Sequence, residues 1–313
     1  MLSDAALDRL QTSLGTPDTS GTRYRILRKA GEGGMGTVWE AEDTVLSRRV
    51  ALKVLAVEDE GGAARLLREA RIVAGLEHPG IVPVHDAGTL PDGRVFAALK
   101  FVDGAPLSAA LPMLGGPAER LRVFLRAAEA VAFAHARGVV HRDLKPENVM
   151  LGAFGEVLVV DWGVAAVRGD SGSRAFPVSG SGTKDGTVVG TPGWMAPEQE
   201  RGEISRVDAR SDVFALGRLL SVLAEPRPGE PGLDRRLAAI VAKATAQEPE
   251  TRYENAAALA GDVARHLEGE PVSAYREGPV ERLARLAVRH RVALLLLLAY
   301  LVTRALVLFI RKN

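Results

Sequence analysis

The 313-residue sequence contains no cysteine, which excludes disulfide bonds and thiolate metal sites. Its 40 lysines and arginines nearly cancel its 39 aspartates and glutamates, so the basic excess of a nucleic-acid-binding surface is missing. No nucleic acid is therefore expected among the partners. The first ten residues carry acidic side chains and no apolar core, so no secretory signal is expected. A chain of this length can bury one large core or two coupled lobes.

One stretch carries the strongest chemical signal: His141-Arg142-Asp143-Leu144-Lys145-Pro146-Glu147-Asn148. It holds a carboxylate, an ammonium and a carboxamide within six positions, and apolar residues on both sides favour a rigid loop. Such a loop can present a proton acceptor, a phosphate counter-charge and a metal ligand in fixed relation. A polar surface turn closed by Pro146 is the alternative, although the eight residues match the catalytic signature of protein kinases.

The sequence resembles the bacterial Ser/Thr protein kinases of the Hanks type, in particular the membrane-anchored ones, over about residues 24–266. The resemblance implies an α+β fold with a small β-rich lobe, a helical lobe and ATP bound between them. It implies that Asp143 accepts or orients the substrate hydroxyl proton, and that Lys145 neutralises the transferred phosphoryl group and favours Ser/Thr over Tyr acceptors. Asn148 and Asp161 are the implied ligands of Mg²⁺ or Mn²⁺.

A glycine-rich stretch, Gly31-Glu32-Gly33-Gly34-Met35-Gly36, precedes this loop. Dinucleotide-binding folds use the same glycine spacing, but their loop opens a helix. Here residues 37–41 continue as a strand, so we predict that the glycines lie in a hairpin whose backbone amides can approach phosphates. An ordinary glycine turn is the alternative.

Lys53 is a single cation inside the apolar strand Val50–Leu55, and a buried charge needs a partner. By resemblance, Lys53 holds the α- and β-phosphates of ATP, and Glu69 in the helical stretch 63–76 holds Lys53. A lysine that snorkels at a strand edge is the alternative. The other residues that the resemblance places around ATP are Gly31, Glu32, Gly33, Gly34, Gly36, Val38, Ala51, Leu99, Lys100, Val102 and Met150. For the apolar Val38, Ala51, Leu99 and Met150, an ordinary core position is equally compatible with the sequence.

Asp161-Trp162-Gly163 has tryptophan where the family usually has phenylalanine. The residues from Arg168 to Thr191 are mostly glycine, serine and threonine, too polar to pack, and they precede Ala196-Pro197-Glu198. By resemblance this is an activation segment, and phosphorylation is expected in it. The threonines singled out are Thr183, Thr187 and Thr191, the last beside the catalytic aspartate. The structural residues implied are Asp212, as the clamp of the catalytic loop, and the pair Glu198 and Arg252.

The sequence departs from the family between residues 225 and 233, where a helix that helps to dock substrates is missing. Only a short stretch rich in proline and glycine joins the neighbouring helices. We expect this deletion to leave apolar flanks less covered, which favours self-association or a partner that covers them. A homodimer would also allow autophosphorylation in trans.

The residues from Val292 to Ile310 form the one apolar segment of the sequence that is long enough to cross a membrane. As a helix it would be about 28 Å long, close to the bilayer core of about 30 Å. Arg304 opposes insertion, and an amphipathic or partner-packed helix is the alternative. Arginines 282, 285, 289 and 291 precede the segment and favour a cytoplasmic location for the kinase part, on the inner membrane. With little sequence after Ile310, no external sensor domain is expected.

We therefore predict a membrane-linked signalling Ser/Thr protein kinase with ATP and protein substrates as partners. The alternatives are a pseudokinase that binds ATP as a scaffold and a nicotinamide-dependent oxidoreductase built around the glycine stretch. The predicted segments are an N-terminal helix and tether (1–21), a kinase domain (22–270, with lobes 22–102 and 103–270), a basic juxtamembrane segment (271–291) and a transmembrane helix (292–310).

Overall fold

The computed structural model describes residues 15–33, 36–55, 60–162, 166–167, 191–289, 294–297 and 299–304. Two lobes are present, a first one built on a β-sheet and a second one that is mainly helical. The predicted two-lobed α+β architecture is therefore confirmed. Gly34, Thr183, Thr187 and the N-terminal helix predicted before residue 15 lie outside the described residues.

The first lobe contains a five-stranded antiparallel sheet with the strand order β1-β2-β3-β5-β4. Its strands are β1 (Tyr24–Gly33), β2 (Gly36–Asp43), β3 (Arg48–Val54), β4 (Val84–Thr89) and β5 (Val95–Lys100). Because β1 and β2 pair as far as Gly33 and Gly36, the glycine stretch forms the predicted hairpin. The strand that follows excludes the dinucleotide-binding alternative, whose loop would open a helix.

Gly36 shows why this hairpin needs glycine at its second strand. Its φ is +121°, and a Cβ atom there would lie 2.3 Å from the carbonyl oxygen of Val54. A side chain at this position would therefore collide with the backbone of β3. Packing inside the sheet therefore requires glycine at position 36, and the approach of the hairpin amides to phosphates stays a prediction.

The helix α1 (Glu60–Ala74) packs on the sheet of the first lobe. Leu66 and Ala70 are buried, and they contact Val95 and Ala97 of β5. This packing orients Glu69, the residue before Ala70, toward the inner side of the lobe. A separate small core fills the opposite face of the sheet around Trp39, Leu52 and Phe96.

The second lobe is centred on a long helix whose apolar side chains recur every three or four residues. Leu121, Phe124, Ala128 and Val131 of this helix are at most 2% exposed, so the 3.6-residue period predicted its buried face correctly. The helices are α2 (Leu107–Ala110), α3 (Pro117–Ala136), α4 (Pro197–Glu200), α5 (Ala209–Leu223), α6 (Arg235–Ala244), α7 (Ala256–Leu267) and α8 (Pro279–Arg289). The short strands are β6 (Gly104–Pro106), β7 (Val139–Val140), β8 (Val149–Gly152), β9 (Val157–Val159) and β10 (Ala166–Val167).

The shortened connection between α5 and α6 is held by polar contacts. Arg120 on α3 is 1% exposed and donates to the carboxylate of Glu230 (2.6 and 3.1 Å) and to the carbonyl oxygen of Leu223 (2.8 Å). Arg227 donates to carbonyl oxygens of the segment before α3. In α5, α6 and the loop between them, Leu233 is the one large apolar side chain that is exposed, at 44%. The expected apolar flanks are therefore covered, because the loop folds back onto α3.

The segment before β1 lies against the first lobe. Pro17 is buried, and Arg94 donates to the carbonyl oxygens of Gly15 (3.0 Å) and Thr16 (2.7 Å). The amide of Asp18 donates to Asp92 at 2.7 Å. This part of the predicted tether is thus attached to the turn between β4 and β5.

At the other end of the chain, α8 corresponds to the predicted basic helix, and residues 294–297 and 299–304 are also helical. Residues 292, 293, 298 and 305–310 of the predicted span lie outside the described residues. Within the ranges that the structure describes, no helix combines the length and apolar character needed to cross a bilayer.

Candidate active site

The loop at 141–148 is positioned by one buried carboxylate on α5. Asp212 is 1% exposed, and its oxygens accept from the backbone amides of His141 and Arg142, each at 2.8 Å. Burial raises the pKa of Asp212, but the hydrogen bonds from the His135 side chain and the His141 backbone amide lower it, and the net shift is downward. The clamp role predicted for Asp212 agrees with these contacts. They hold Arg142 at a φ of +70°, a conformation that a free loop would seldom keep.

Two further positioning residues carried no clear sequence signal. His135 on α3 accepts from the amide of Ala256 through Nδ1 (3.3 Å), so its Nε2 carries the proton and donates to Asp212 (2.8 Å). Gln199 on α4 donates to the carbonyl oxygen of Arg142 at 2.9 Å. A histidine inside an apolar helix pattern was the only available hint, and it did not indicate which carboxylate it would meet.

Asp143 lies at the centre of a hydrogen-bonded cluster. Its Oδ1 accepts from the hydroxyl of Thr191 (3.1 Å), and its Oδ2 accepts from Nζ of Lys145 (2.9 Å). Lys145 also donates to Oγ1 of Thr191 at 2.7 Å, and Asn148 donates to the carbonyl oxygen of Asp143 at 2.8 Å. The cluster shows that this carboxylate can accept a hydroxyl proton beside a fixed positive charge.

A second group of charges joins Lys53 and Glu69 of the first lobe to Asp161 of the second lobe. Nζ of Lys53 lies 2.7 Å from Oδ1 of Asp161 and 3.5 Å from Oε1 of Glu69. Burial lowers the pKa of Lys53, but the two carboxylates outweigh it and raise the pKa, so the lysine is charged. The pKa of Asp161 is lowered, because Lys53 outweighs the effect of burial. A snorkelling lysine is thereby excluded, since the side chain points inward to two carboxylates.

The oxygens available for a divalent cation come from Asn148 and Asp161. The amide nitrogen of Asn148 donates to Asp143, which leaves its oxygen as the coordinating atom. The side chain of Asp161 is 39% exposed and uses Oδ1 for Lys53, which leaves its second oxygen for a cation. In the described part of the chain, no group of three or more His, Cys, Asp or Glu side chains could form a protein-only metal site. Mg²⁺ fits such a sparse set, because it takes the rest of its ligands from phosphates and water.

Trp162 takes an inward position beneath Asp161. It is 1% exposed, its Nε1 donates to the carbonyl oxygen of Val159 (3.3 Å), and its ring lies 4.6 Å from that of His141. The same core includes Val73 and Leu76, at and just after the end of α1. Tryptophan in this position therefore packs against His141 of the catalytic loop, within the core that also includes the end of α1.

The apolar residues predicted around adenine differ from their neighbours in exposure. Val50, Leu52 and Ala98 are completely buried. By contrast, the predicted adenine-lining residues are only partly buried, and they are Val38, Ala51, Leu99, Val102 and Met150. In the sheet, Ala51 lies opposite Leu99. Their shared exposure favours a surface that lines the cleft over an ordinary core.

The remaining predicted nucleotide residues lie around the same cleft. Gly31, Gly33 and Gly36 belong to the β1–β2 hairpin, and Glu32 is exposed at its tip, where it pairs with Lys29. Lys100 ends β5, and its Nζ lies 3.3 Å from Oε1 of Glu156 in the second lobe. An ion pair thus crosses between the lobes beside the proposed adenine position.

Glu198 and Arg252 form a fully buried ion pair below the site. Two nitrogens of Arg252 donate to the two carboxylate oxygens at 2.8 Å each, and Ser211 donates to Glu198 at 2.7 Å. Burial raises the pKa of Glu198, but the bonds from Arg252 and Ser211 outweigh it and lower the pKa. The pair predicted from the sequence is therefore formed, and it secures the segment that follows Thr191.

Comparison with known proteins agrees with this geometry. The sequence matches the family described as the protein kinase domain over residues 24–255. It is 36% identical to the serine/threonine-protein kinase PknB of Mycobacterium tuberculosis, in an alignment that covers 83% of this chain and 45% of that protein. A probable serine/threonine-protein kinase of Streptomyces coelicolor is 35% identical (82% and 42% covered). PknD of Chlamydia caviae is 34% identical (80% and 32% covered).

The chain spans less than half the length of these curated relatives, 45% at most. The match to the protein kinase domain nevertheless includes both lobes and every described member of the two charge clusters. The chain therefore belongs to the protein kinase family, as its motifs predicted.

Proposed function

We propose that this protein transfers the γ-phosphoryl group of ATP to serine or threonine hydroxyls of proteins. The observation that carries the proposal is the cluster of Asp143, Lys145 and Thr191, in which a hydroxyl already donates to the carboxylate beside a lysine. The names of the relatives, all serine/threonine-protein kinases, support the same acceptor class.

In this reaction the substrate oxygen forms a bond to the γ-phosphorus, and the bond from that phosphorus to the β,γ-bridging oxygen breaks. Asp143 orients the hydroxyl and takes its proton, while Lys145 offsets the charge on the transferred group. Lys53, held by Glu69, binds the remaining phosphates. Mg²⁺ held by Asn148 and Asp161 would neutralise the phosphate oxygens. Positioning and charge stabilisation supply most of the rate enhancement, because the protein forms no covalent intermediate.

The test is phosphotransfer by the full chain with radiolabelled ATP, Mg²⁺ and a generic basic protein. Asp143→Asn keeps the side-chain volume and should slow labelling by about a hundredfold or more while ATP still binds. Asp86→Asn, on the edge strand β4, serves as the matched control and should label normally. If the wild-type chain binds ATP and transfers nothing, the pseudokinase scaffold replaces our proposal. If Asp143→Asn labels as fast as wild type, the role of Asp143 is wrong.

The proposal extends to autophosphorylation of the activation segment, in trans within a homodimer, at Thr183 or Thr187. Arg142, beside the catalytic aspartate, supports it. Burial lowers the pKa of its guanidinium, and its Nε has no hydrogen-bond partner in the described part of the chain. A phosphate would supply nearly two negative charges and strong acceptors for this group. Phosphopeptide mapping after incubation with ATP tests the idea, and an active enzyme without phosphate between Ser171 and Thr191 would contradict it.

We also propose that the chain is anchored in the cell membrane through Val292–Ile310, with the kinase domain in the cytoplasm. Large apolar side chains at residues 294–297 and 300–302 are 47–67% exposed, so the kinase domain does not bury them. Arg304 opposes insertion by about 2.5–3.5 kcal/mol, but thirteen Leu, Val, Ile or Phe residues favour it by about 4–8 kcal/mol in total. Arg304 can extend toward the headgroups near Arg311 and Lys312.

The preceding arginines and the supply of ATP place the kinase on the cytoplasmic side in this proposal. Alkaline carbonate extraction of membranes is the test. The full-length protein should stay in the membrane pellet, and its release into the wash would mean that no span exists.

A further inference from the structure

The helix α8 (Pro279–Arg289) directs its charged side, rather than its apolar side, toward the kinase domain. Arg285 donates through Nε to both oxygens of Glu277 at 2.9 Å, and these side chains are 13% and 9% exposed. Glu281 accepts from the hydroxyl of Tyr275 at 3.0 Å. Because positions 281 and 285 are one turn apart, they lie on the same side of the helix.

The segment that leads into α8 is firmly attached to the second lobe. Asp262, buried on α7, accepts from the amide and the hydroxyl of Ser273 at 2.8 and 2.7 Å. Val272 is 5% exposed, and Glu277 also lies 4.0 Å from the guanidinium of Arg236 at the start of α6. The helix therefore starts from a fixed point of the lobe and is held in a fixed orientation.

The other side of α8 is apolar and open. Val280 is 79% exposed and Leu283 is 70% exposed, and their spacing of three residues places them on one face. An amphipathic helix of a soluble domain normally buries this face and exposes the charged one. Here the arrangement is reversed, which means that the apolar face is available for an apolar environment outside the domain.

The position of α8 in the chain indicates which environment this is. Two residues lie between Arg289 and Val292, where the proposed membrane span begins, and the three residue steps between them reach at most about 11 Å when extended. A helix of 11 residues is about 16 Å long, so α8 cannot leave the vicinity of the bilayer surface. Arg282 is exposed, and Arg289 and Arg291 follow in the sequence, which suits anionic lipid headgroups.

We propose that α8 lies on the cytoplasmic surface of an anionic bilayer, with Val280 and Leu283 inserted at the level of the headgroups. This inference rests on the membrane anchoring proposed above. It assigns the apolar face to lipid and the charged face to the kinase domain. The second lobe is then held against the membrane by α8, and the start of α6 lies close to the lipid. The alternative is a kinase domain joined to the span by a flexible linker.

Site-specific labelling tests the proposal in the full chain, because the natural sequence has no cysteine. Val280→Cys and Leu283→Cys would each carry a bimane label in vesicles of phosphatidylcholine with phosphatidylglycerol. Val45→Cys, in the turn after β2 of the first lobe, matches them at 70% exposure and is the control. Leu296→Cys reports on the span independently.

Lipids with a spin label near the headgroup should quench the labels at 280 and 283 by about twofold or more, as expected for a helix at the interface, and leave the control unchanged. Equal quenching at 280, 283 and 45 would overturn the proposal, whatever the label at 296 shows. If a mid-acyl quencher reaches 296 in that case, the span survives without a surface helix. Quenching of the labels at 280 and 283 by the headgroup spin label, with no quenching of the label at 296 by the mid-acyl spin label, would support the surface helix and exclude the membrane span.

A second copy of the chain is the competing partner for this face. Oxidation of the unlabelled Leu283→Cys protein in detergent should give the same low dimer yield as the Val45→Cys control. A dimer yield several-fold above the control would overturn the proposal in favour of a contact between two α8 helices.

Discussion

Nζ of Lys53 lies nearer to Asp161 (2.7 Å) than to Glu69 (3.5 Å). Asp161 is the residue that would bind the metal, and Lys53 is the residue that would bind phosphates. In the structure each therefore serves as the counter-charge of the other. Bound ATP and Mg²⁺ would replace this contact, because phosphates would supply the negative charge for Lys53 and the metal would supply the positive charge for Asp161.

Lys53→Met should therefore weaken ATP binding, whereas Asp143→Asn should not. The methionine keeps the apolar stem of the side chain but removes the cation that faces the phosphates. We also expect kcat to fall by about 10²–10⁴-fold in Asp143→Asn, the range for loss of a proton acceptor. Titration with a fluorescent ATP analogue and single-turnover assays separate the two effects. Equal ATP affinity in wild type and Lys53→Met would contradict the role of Lys53.

Arg252→Met should destabilise the kinase domain by about 3–5 kcal/mol, because it leaves Glu198 charged and buried without its partner. Both side chains of this pair are 0% exposed. Arg206→Met is the matched control, since Arg206 pairs with Glu248 and Glu250 at the surface and is 37% exposed. Its loss should cost far less stability, because water and salt screen an exposed ion pair. Urea unfolding measures the free energy of unfolding of both variants. A similar loss in the two would mean that the buried ion pair contributes no more to stability than the exposed one.

Acid should weaken the attachment of the segment before α8 through Asp262. Burial raises the pKa of this carboxyl, but hydrogen bonds from Ser273, Arg265 and Tyr253 outweigh it and lower the pKa to about 2. Because the folded pKa lies below the unfolded value of 3.8, the stabilisation is present above pH 4 and is lost as the pH falls toward 2.

Asp262→Asn should remove this pH dependence and destabilise the domain by about 1–3 kcal/mol at neutral pH, since buried donors lose a charged acceptor. Thermal unfolding between pH 2 and pH 7 checks the prediction. An unchanged slope of stability against pH in the variant would contradict it. Glu250→Gln, at an exposed glutamate, is a suitable control.

Glu277→Gln should release α8 from the second lobe without unfolding the domain. The variant keeps the shape of the side chain but loses the charge that Arg285 and Arg236 face. We expect faster amide hydrogen exchange in residues 278–289 and unchanged exchange in α3. Arg282→Gln, at an exposed arginine on the same helix, should leave both unchanged. Equal exchange in both variants would mean that this ion pair does not hold the helix.

The replacement of phenylalanine by tryptophan before Gly163 can be tested by Trp162→Phe. The smaller ring leaves a void beside His141 of the catalytic loop, and we expect a loss of about 1–3 kcal/mol in stability. Phosphotransfer should persist, because Asp161 and Lys53 are unchanged. Loss of activity with normal stability would instead show that the indole itself is needed to hold Asp161.

Local chemistry was enough to predict the parts whose residues are close in sequence. Asp143, Lys145 and Asn148 lie within six positions, so a rigid loop brings them together in almost any packing. The hairpin at Gly33 and Gly36 follows from strand-forming residues on both sides of glycines. The buried face of α3 follows from its helical period. The pairs Lys53–Glu69 and Glu198–Arg252 and the clamp at Asp212 needed the resemblance to a known family as well.

Contacts between distant residues were decided by the tertiary structure. Lys53 and Asp161 are 108 positions apart, and no sequence periodicity predicts that Nζ of Lys53 lies 2.7 Å from Oδ1 of Asp161. The shortened loop was expected to expose apolar flanks, but Arg120, 110 positions before Glu230, draws it onto α3. In α8 the sequence determined which residues are apolar and which are charged. Only packing decided that the charged side meets the kinase domain, because a helical pattern defines two faces and leaves open which face meets which neighbour.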